Sequence, residues 1–180
     1  MEFGIRYEVE KVYGKKAIIC SGKWVKSLLP EISSLFKVIR QYVAFIKIEG
    51  MEKYKLDNFP CFAHMNQTAD FFYLPSVGDE GFKIGLHNVT DSSMTSERFE
   101  NLVRENAVQL FGKKFLEIKK IEECFYTVTR TEDFVLDWVN SESEKILAVS
   151  CCSGHGFKFC PILGKVAADV AHKNTSIDIF

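Results

Sequence analysis

The stretch Lys145-Ile146-Leu147-Ala148-Val149-Ser150 runs through Cys151-Cys152 into Ser153-Gly154-His155-Gly156 and then into a helical pattern from about Phe157 to Lys173. No other segment constrains the fold as much. A short apolar run, a glycine turn and a helix predict a buried strand whose helix packs back on its sheet. Pro161 is tolerated in the first turns of that helix, and Ile162, Val166 and Val170 fall in register. Such a turn lets backbone amides and a helix N-terminus approach an electron-rich group, because glycine removes the obstructing side chain and the dipole favours negative charge. The spacing is neither G-x-G-x-x-G nor G-x-x-x-x-G-K-[ST], and no acidic residue stands at the distance expected for a ribose. Pattern alone therefore leaves a cofactor-facing turn and a plain structural turn both open.

The rest of the chain reads mainly as strands. Lys16-Ala17-Ile18-Ile19-Cys20 is an apolar run closed by Ser21-Gly22 and predicts a buried strand, followed by a helix carrying Trp24, Val25, Leu28 and Leu29 before Pro30. Phe36 to Ile48 alternates as a long strand. Asp70–Leu74 and Gly81–His87 are two more, separated by the turn-rich Ser76-Val77-Gly78-Asp79-Glu80. Ser96 to Phe111 is a helix with Phe99, Leu102, Val103, Ala107, Leu110 and Phe111 on one face, Thr95 or Ser96 as cap and Gly112 at its exit. Glu123 to Val139 predicts two strands around Thr131-Glu132-Asp133. The fold class is α+β with a mostly antiparallel middle.

Composition narrows the function. The chain has 180 residues, 47% of them hydrophobic, which suits a packed core rather than disorder. Its 23 basic and 24 acidic residues nearly cancel, so no global field draws it to nucleic acid or an anionic membrane. No apolar run approaches the roughly 20 residues needed to span a bilayer. The start Met1-Glu2-Phe3-Gly4 has no basic region leading into an apolar stretch, so a soluble, cytoplasmic protein is expected. Six cysteines in such a chain read as reduced thiols buried as small hydrophobes. Cys61-Phe62-Ala63-His64 is a C-x-x-H pair, but Cys151-Cys152 with His155 lacks a paired-knuckle spacing, and no metal site is expected.

Several residues carry two readings each. Lys83 and His87 lie four apart on a strand and share one face, with Gly85 between them leaving space for a ligand; the plainer reading is an exposed polar strand face. Lys158 begins a helix where a cation opposes the dipole, so it either serves an anionic partner or is solvated. His155 between glycines is either an acid-base group or a backbone hydrogen-bond partner. Cys124 beside Phe125 and Tyr126 reads as core by composition.

Three blocks together resemble the sarcosine oxidase family of FAD-dependent amine oxidases, which includes sarcosine oxidases, pipecolate oxidases and N-methyltryptophan oxidase. They are Ser153-Gly154-His155-Gly156-Phe157-Lys158-Phe159 with Pro161 and Gly164-Lys165, then Cys124-Phe125-Tyr126-Thr127-Val128-Thr129 with Glu132 to Asp137, and Gly81-Phe82-Lys83-Ile84-Gly85-Leu86-His87. Ser21-Gly22-Lys23-Trp24 and Arg40-Gln41 add to them, and the resemblance runs in collinear order from about Lys16 to Phe180. It implies FAD as cofactor, with Cys124 matching the cysteine that forms a thioether to the flavin and Lys83 the lysine that promotes reaction with dioxygen. Lys158 resembles a lysine that holds the substrate carboxylate, and His87 and Tyr126 match side chains around the substrate amine. Gly154, His155, Gly156 and Phe157 would set backbone amides against the polar edge of the flavin ring, with Gly22 near the cofactor. The implied reaction is hydride transfer from the carbon beside a secondary amine or amino-acid nitrogen to flavin, giving an imine and, with dioxygen, hydrogen peroxide.

The departures are as informative. The family's first half, with its strand and G-x-G-x-x-G, is missing from the sequence, so a site for the ADP end of FAD is not evident. Trp138-Val139 stands where histidine-proline is usual, and Ser150-Cys151-Cys152 where alanine-glycine-phenylalanine is. Tyr73 lies one place beyond the usual tyrosine, and Asp178-Ile179-Phe180 is not a peroxisomal address. The expected organisation is a residual FAD-domain strand and helix over residues 1–32, a substrate-binding α+β domain over 33–140, and over 141–180 the closing strand, SGHG turn and helix of a Rossmann-like FAD-binding domain. The chain is then a fragment or split half of a sarcosine-oxidase-like enzyme. The rivals are a non-catalytic binding remnant and a truncated reading of a longer gene. Expected partners are a small amine or amino-acid substrate, dioxygen, and a separate N-terminal FAD-binding half or a second copy, with apolar surface exposed near Ile18 and Ile146.

Overall fold

In the computed structural model, which describes residues 13–65, 70–87 and 93–173, the elements follow in the order β1 (Ala17–Ile19), α1 (Val25–Leu28), β2 (Lys37–Ile48), β3 (Phe62–His64), β4 (Asp70–Leu74), β5 (Phe82–His87), α2 (Ser96–Phe111), β6 (Phe115–Val128), β7 (Val135–Trp138), β8 (Ile146–Ser150) and α3 (Cys160–Lys173). They build two sheets. One is antiparallel with the order β3-β4-β5-β2-β6, and the other has the order β1-β8-β7. Met1-Glu2-Phe3-Gly4 and Asp178-Ile179-Phe180 lie outside the described residues.

Register decides which residues share a face of the larger sheet. Ala44 pairs with Ile84 and Ile46 with Phe82, while Tyr73 also opposes Ile84. These side chains, with Tyr42 and Phe71, form the main core against Phe99, Val103 and Ala107 of α2. Fully burying one such aromatic or aliphatic side chain contributes about 2 kcal/mol. Tyr42 stacks on Phe99 with ring centroids 5.7 Å apart, and the buried Tyr73 hydroxyl donates to Asn106 Oδ1 at 2.7 Å. Thr95 caps α2 by accepting from the Arg98 amide at 3.2 Å, and Gly112 leaves it with φ +56°, a conformation suited to glycine.

Alternation places a different set on the opposite face. Val43 pairs with Gly85 and Phe45 with Lys83 across β2 and β5, and Gln41 pairs with Cys124 and Ile39 with Tyr126 across β2 and β6. Asp70 opposes His87 and Phe72 opposes Gly85. The face turned away from α2 therefore carries Lys83, His87, Cys124 and Tyr126 together.

In the smaller sheet β1 runs parallel to β8, and β7 antiparallel to it. Val25, Leu29, Phe36 and Ala148 make one small core and Leu147, Ala167 and Val170 another. The expectation of a buried first strand fails: Ile18 is 42% exposed on β1, a sheet edge paired on one side only, and Ile146, which opens the central strand β8, is 40% exposed. The apolar surface expected near these two residues is present.

Other boundaries shift for identifiable reasons. β6 starts at Phe115, eight residues before the expected Glu123, because an edge strand accommodates the charged Glu117, Lys119, Lys120 and Glu122 that mask its alternation. β3 is too short to show a period. The final helix opens with a 3-10 turn over Phe157–Phe159 and becomes α-helical at Cys160, with Ile162 exposed rather than packed. The first helix is a 3-10 turn over Gly22–Trp24 running into the single turn α1; Val25 and Leu29 are buried, but Trp24 and Leu28 face solvent. The cysteines are all free thiols, as read from the sequence, yet they are not buried. Cys20, Cys61 and Cys160 are exposed, and Cys124, Cys151 and Cys152 are half-buried.

Candidate functional site

A cleft of about 280 Å³ opens where the uncovered face of the larger sheet meets the turn after β8, lined by Ala63, Met65, Asp70, Phe72, His87, Tyr126, Gly154 and His155 among others. Its walls come from β3, β4, β5 and β6. Tyr126 Oη lies 3.5 Å from His87 Nδ1, at the outer limit of a hydrogen bond, with the rings 5.6 Å apart. Burial pushes the Tyr126 phenol up to about 12, helped by Cys124 and Cys152 nearby, so at neutral pH it keeps its proton and can donate.

Cys124 stands two residues from Tyr126 on the same face. Burial pushes its thiol up, and the Lys83 ammonium pulls in the opposite direction, so the two residues feel each other across β2. The Lys83 Nζ sits 5.6 Å from the centre of the Phe45 ring, its cross-strand neighbour, and Lys120 Nζ lies 4.2 Å from that same ring. Both Lys83 and His87 are half-buried, not the exposed polar face of the plainer reading.

The turn after β8 is bound to the outer edge of β6. Ser153 N–H donates to the Thr127 carbonyl at 2.9 Å, and Thr127 N–H donates to Cys152 Sγ at 3.5 Å. Gly154 has φ +77°, and a Cβ there would meet the Tyr126 ring at 2.5 Å, so only glycine permits the close approach of turn and phenol.

Four sequence readings change at this level. The space over Gly85 is not open to a ligand: a Cβ there would lie 2.0 Å from Phe72, whose ring fills it. The His155 and Gly156 amides both donate to the Cys152 carbonyl at 2.9 Å, so the turn offers a ligand fewer amides than its glycines suggest. His155 takes the plainer of its two readings, with Nε2 3.2 Å from the Glu132 carbonyl and its ring on Phe134. Tyr73 points into the core, and Phe72 holds the neighbouring place on the cleft side.

Lys158 and Phe157 stand apart from the cleft, exposed on the 3-10 turn, with Phe157 91% exposed. Gly22, at φ +53°, has open space where a Cβ would be, and its neighbour Lys23 reaches Phe125 of β6, Nζ to ring 3.9 Å. Sequence reasoning missed Asp70, Phe72, Ala63 and Met65. The strand period was available for Asp70 and Phe72, since the pairing of β4 with β5 sets them level with His87 and Gly85.

Comparison with known proteins gives this face a family. The profile of the FAD dependent oxidoreductase (DAO) family matches residues 3–170. The chain belongs to that family. N-methyl-L-tryptophan oxidase of Escherichia coli O127:H6 is 31% identical over 90% of this chain and 45% of its own length, and that of Escherichia coli strain SMS-3-5 matches to the same extent. The chain thus spans about half the length of the curated relatives it matches. The fold is shared with fructosamine oxidase (Amadoriase II) of Aspergillus fumigatus, at TM-score 0.69 and 16% identity over 94% of this chain and 44% of that one. It is shared also with glycine oxidase of Bacillus cereus, at TM-score 0.59 and 14% identity over 89% and 43%. DAO is a family of FAD-dependent oxidoreductases, and that is the family-level identity of the chain.

The residues present fit a flavin in one respect that the structure itself supplies. Ser21 Oγ and Ser150 Oγ are buried without a hydrogen-bond partner, at the carboxyl ends of the parallel pair β1 and β8, where α/β sheets bind their ligands. Among the described residues no group of His, Cys, Asp and Glu could hold a metal ion, and no helix is long and apolar enough to cross a membrane.

Proposed function

We propose that this chain is the amine-binding half of an FAD-dependent amine or amino-acid oxidase, with the flavin ring on the sheet face turned away from α2. One observation carries the reading: Lys83, His87, Cys124 and Tyr126, from two strands separated by β2, share that face beside a single cleft. A bound FAD would supply the acceptor for a hydride from the carbon next to the substrate nitrogen and the route for the electrons to dioxygen. In this reading residues 33–140 are the substrate unit and 1–32 with 141–180 the FAD-facing unit; the pairing of β1 with β8 supports joining the two outer segments, while β7 (Val135–Trp138) pairs with β8 from inside the 33–140 range. A separate N-terminal half or a second copy completes the flavin site in this reading, and the chain works in the cytoplasm.

The chain's own groups have distinct tasks. The Lys83 ammonium, held over Phe45, stabilises negative charge developing beside the face where dioxygen is reduced. Cys124 is the anchor for the ring. The Tyr126 phenol, protonated up to about pH 12, donates toward His87 or toward a substrate nitrogen displacing that contact. Ala63, Met65 and Phe72 give the cleft an apolar wall that keeps water from the reacting carbon, and Asp70 sets one carboxylate beside it. This wall favours an amine bearing a flat or bulky apolar group. Lys158, exposed on the 3-10 turn and apart from the cleft, has no contact with a substrate held there, so the carboxylate role implied by resemblance is not part of this reading.

The test is to purify the chain with added FAD, denature it in acid and separate it from free flavin. Retained flavin absorbance in wild type, lost in Cys124→Ser, is the expected result. Binding that survives denaturation equally in Cys124→Ser would remove Cys124 from the site.

A further inference from the structure

Three thiols gather at the end of the smaller sheet, outside the cleft. Cys20 follows β1, Cys151 follows β8 and Cys160 opens α3. The parallel register pairs Ile18 with Leu147 and Ile19 with Ala148. At the same offset Cys20 stands level with Val149, two residues short of Cys151. From the other side, Gly156 lies so close to the Cys151 carbonyl that a Cβ there would fall 1.6 Å from its oxygen. The Phe159 amide donates to the Gly156 carbonyl at 2.9 Å, turning the chain back just before Cys160. Cys20 and Cys160 are exposed, and Cys151 is half-buried, its Sγ 3.7 Å from the Val135 carbonyl. Burial first, then Cys20 and Cys160 as neighbouring charges, push the Cys151 thiol up to about 11.

We propose that Cys151 is the resolving thiol of a peroxide-sensitive site, capturing a sulfenic acid formed on Cys20 or Cys160 as an intrachain disulfide. In the first step an exposed thiol attacks hydrogen peroxide. The O–O bond breaks, sulfur loses two electrons and becomes the sulfenic acid, and water leaves. In the second step the Cys151 sulfur attacks the sulfenic sulfur, the S–OH bond breaks, the S–S bond forms, and the Cys151 proton departs with the hydroxide as water. A bridge to Cys160 would close the Ser153–Gly156 turn, and one to Cys20 would tie β1 to β8. Because Cys151 holds its proton far into the alkaline range, little of it is thiolate at neutral pH and its attack on peroxide or on a sulfenic acid is slow there; capture of a sulfenic acid held beside it gains from proximity and quickens as pH rises. The oxidant is a product of the reaction proposed above, but the site stands on its thiols and is tested with added peroxide, so either can fail alone.

The experiment treats the full chain with hydrogen peroxide, blocks remaining thiols with iodoacetamide, and maps peptides without reductant. The expected result is loss of two hydrogens from the intact mass, a dithiothreitol-reversible bridge joining Cys151 to Cys20 or Cys160, and a bridging rate that climbs through the alkaline range. Cys151→Ser should form no such bridge and accumulate a dimedone adduct on Cys20 or Cys160, while Cys61→Ser should bridge like wild type. A Cys20–Cys160 or Cys151–Cys152 bridge in the wild type, or sulfinic and sulfonic acids on Cys20 and Cys160 with Cys151 untouched, would overturn the proposal. The wild-type map decides even where the variant fails to fold.

Discussion

Cys124 and Lys83 are the residues whose coupling makes the uncovered face more than a sheet surface. Burial raises the thiol and the ammonium opposes that rise, so Lys83→Met should push the Cys124 thiol further up. Alkylation rates of Cys124 against pH measure this; the profile of the variant should lie to higher pH, and an unchanged profile would separate the two groups. Tyr126 gives a second test. Its native phenol holds a proton between the ordinary value of 10 and about 12, a window in which the unfolded chain has lost it. Stability therefore falls as pH rises through that window, by on the order of 2 kcal/mol. Denaturant unfolding of Tyr126→Phe should show a shallower decline than wild type over the same range. Of these residues, sequence made Lys83, His87, Cys124 and Tyr126 legible through their likeness to a family. It did not show that Phe72 fills the space over Gly85 or that Cys152 already occupies two amides of the turn. The first depends on the register between β4 and β5 and on the rotamer of Phe72, and the second on how the turn from Cys152 to Gly156 folds back on itself, neither of which the residue types alone record.

At the scale of elements, α2 was the most legible. Its cap and glycine exit agree, its bounds match the expectation residue for residue, and its apolar face agrees except at Leu110, which is 41% exposed. It fixes the site indirectly: by covering the Tyr42, Ile84 and Tyr73 side of the sheet, it leaves the Cys124 side for a ligand. Phe99→Ala should cost about 3 to 5 kcal/mol by emptying the packed core, and Thr95→Ala about 1 kcal/mol by releasing the Arg98 amide. Chemical denaturation reads both, and a Phe99→Ala loss under about 1 kcal/mol would contradict this placement of the core. β4 and β5 were equally plain because turn residues bound them. β6 and β1 were not, for opposite reasons. The charges of an edge strand hid the first half of β6, and the apolar residues of β1 suggested a burial that its one-sided pairing does not provide.

The whole molecule joins a nearly self-sufficient antiparallel sheet and helix to a three-stranded sheet with an open parallel edge. The exposed Ile18 and Ile146 lie on that second sheet, and so do the orphaned Ser21 and Ser150 hydroxyls at its carboxyl end. The chain spans about half of its curated relatives, and these features fit a surface that another body of protein and a cofactor cover together. The central claim is that flavin lies on the sheet face away from α2. Amide chemical-shift mapping of the chain titrated with FAD tests it most directly. The account predicts shifts gathered on Gln41, Lys83, Gly85, Cys124, Tyr126 and the Ser153–Gly156 turn. Shifts confined to α2 and its packed face, or none at all, would contradict it.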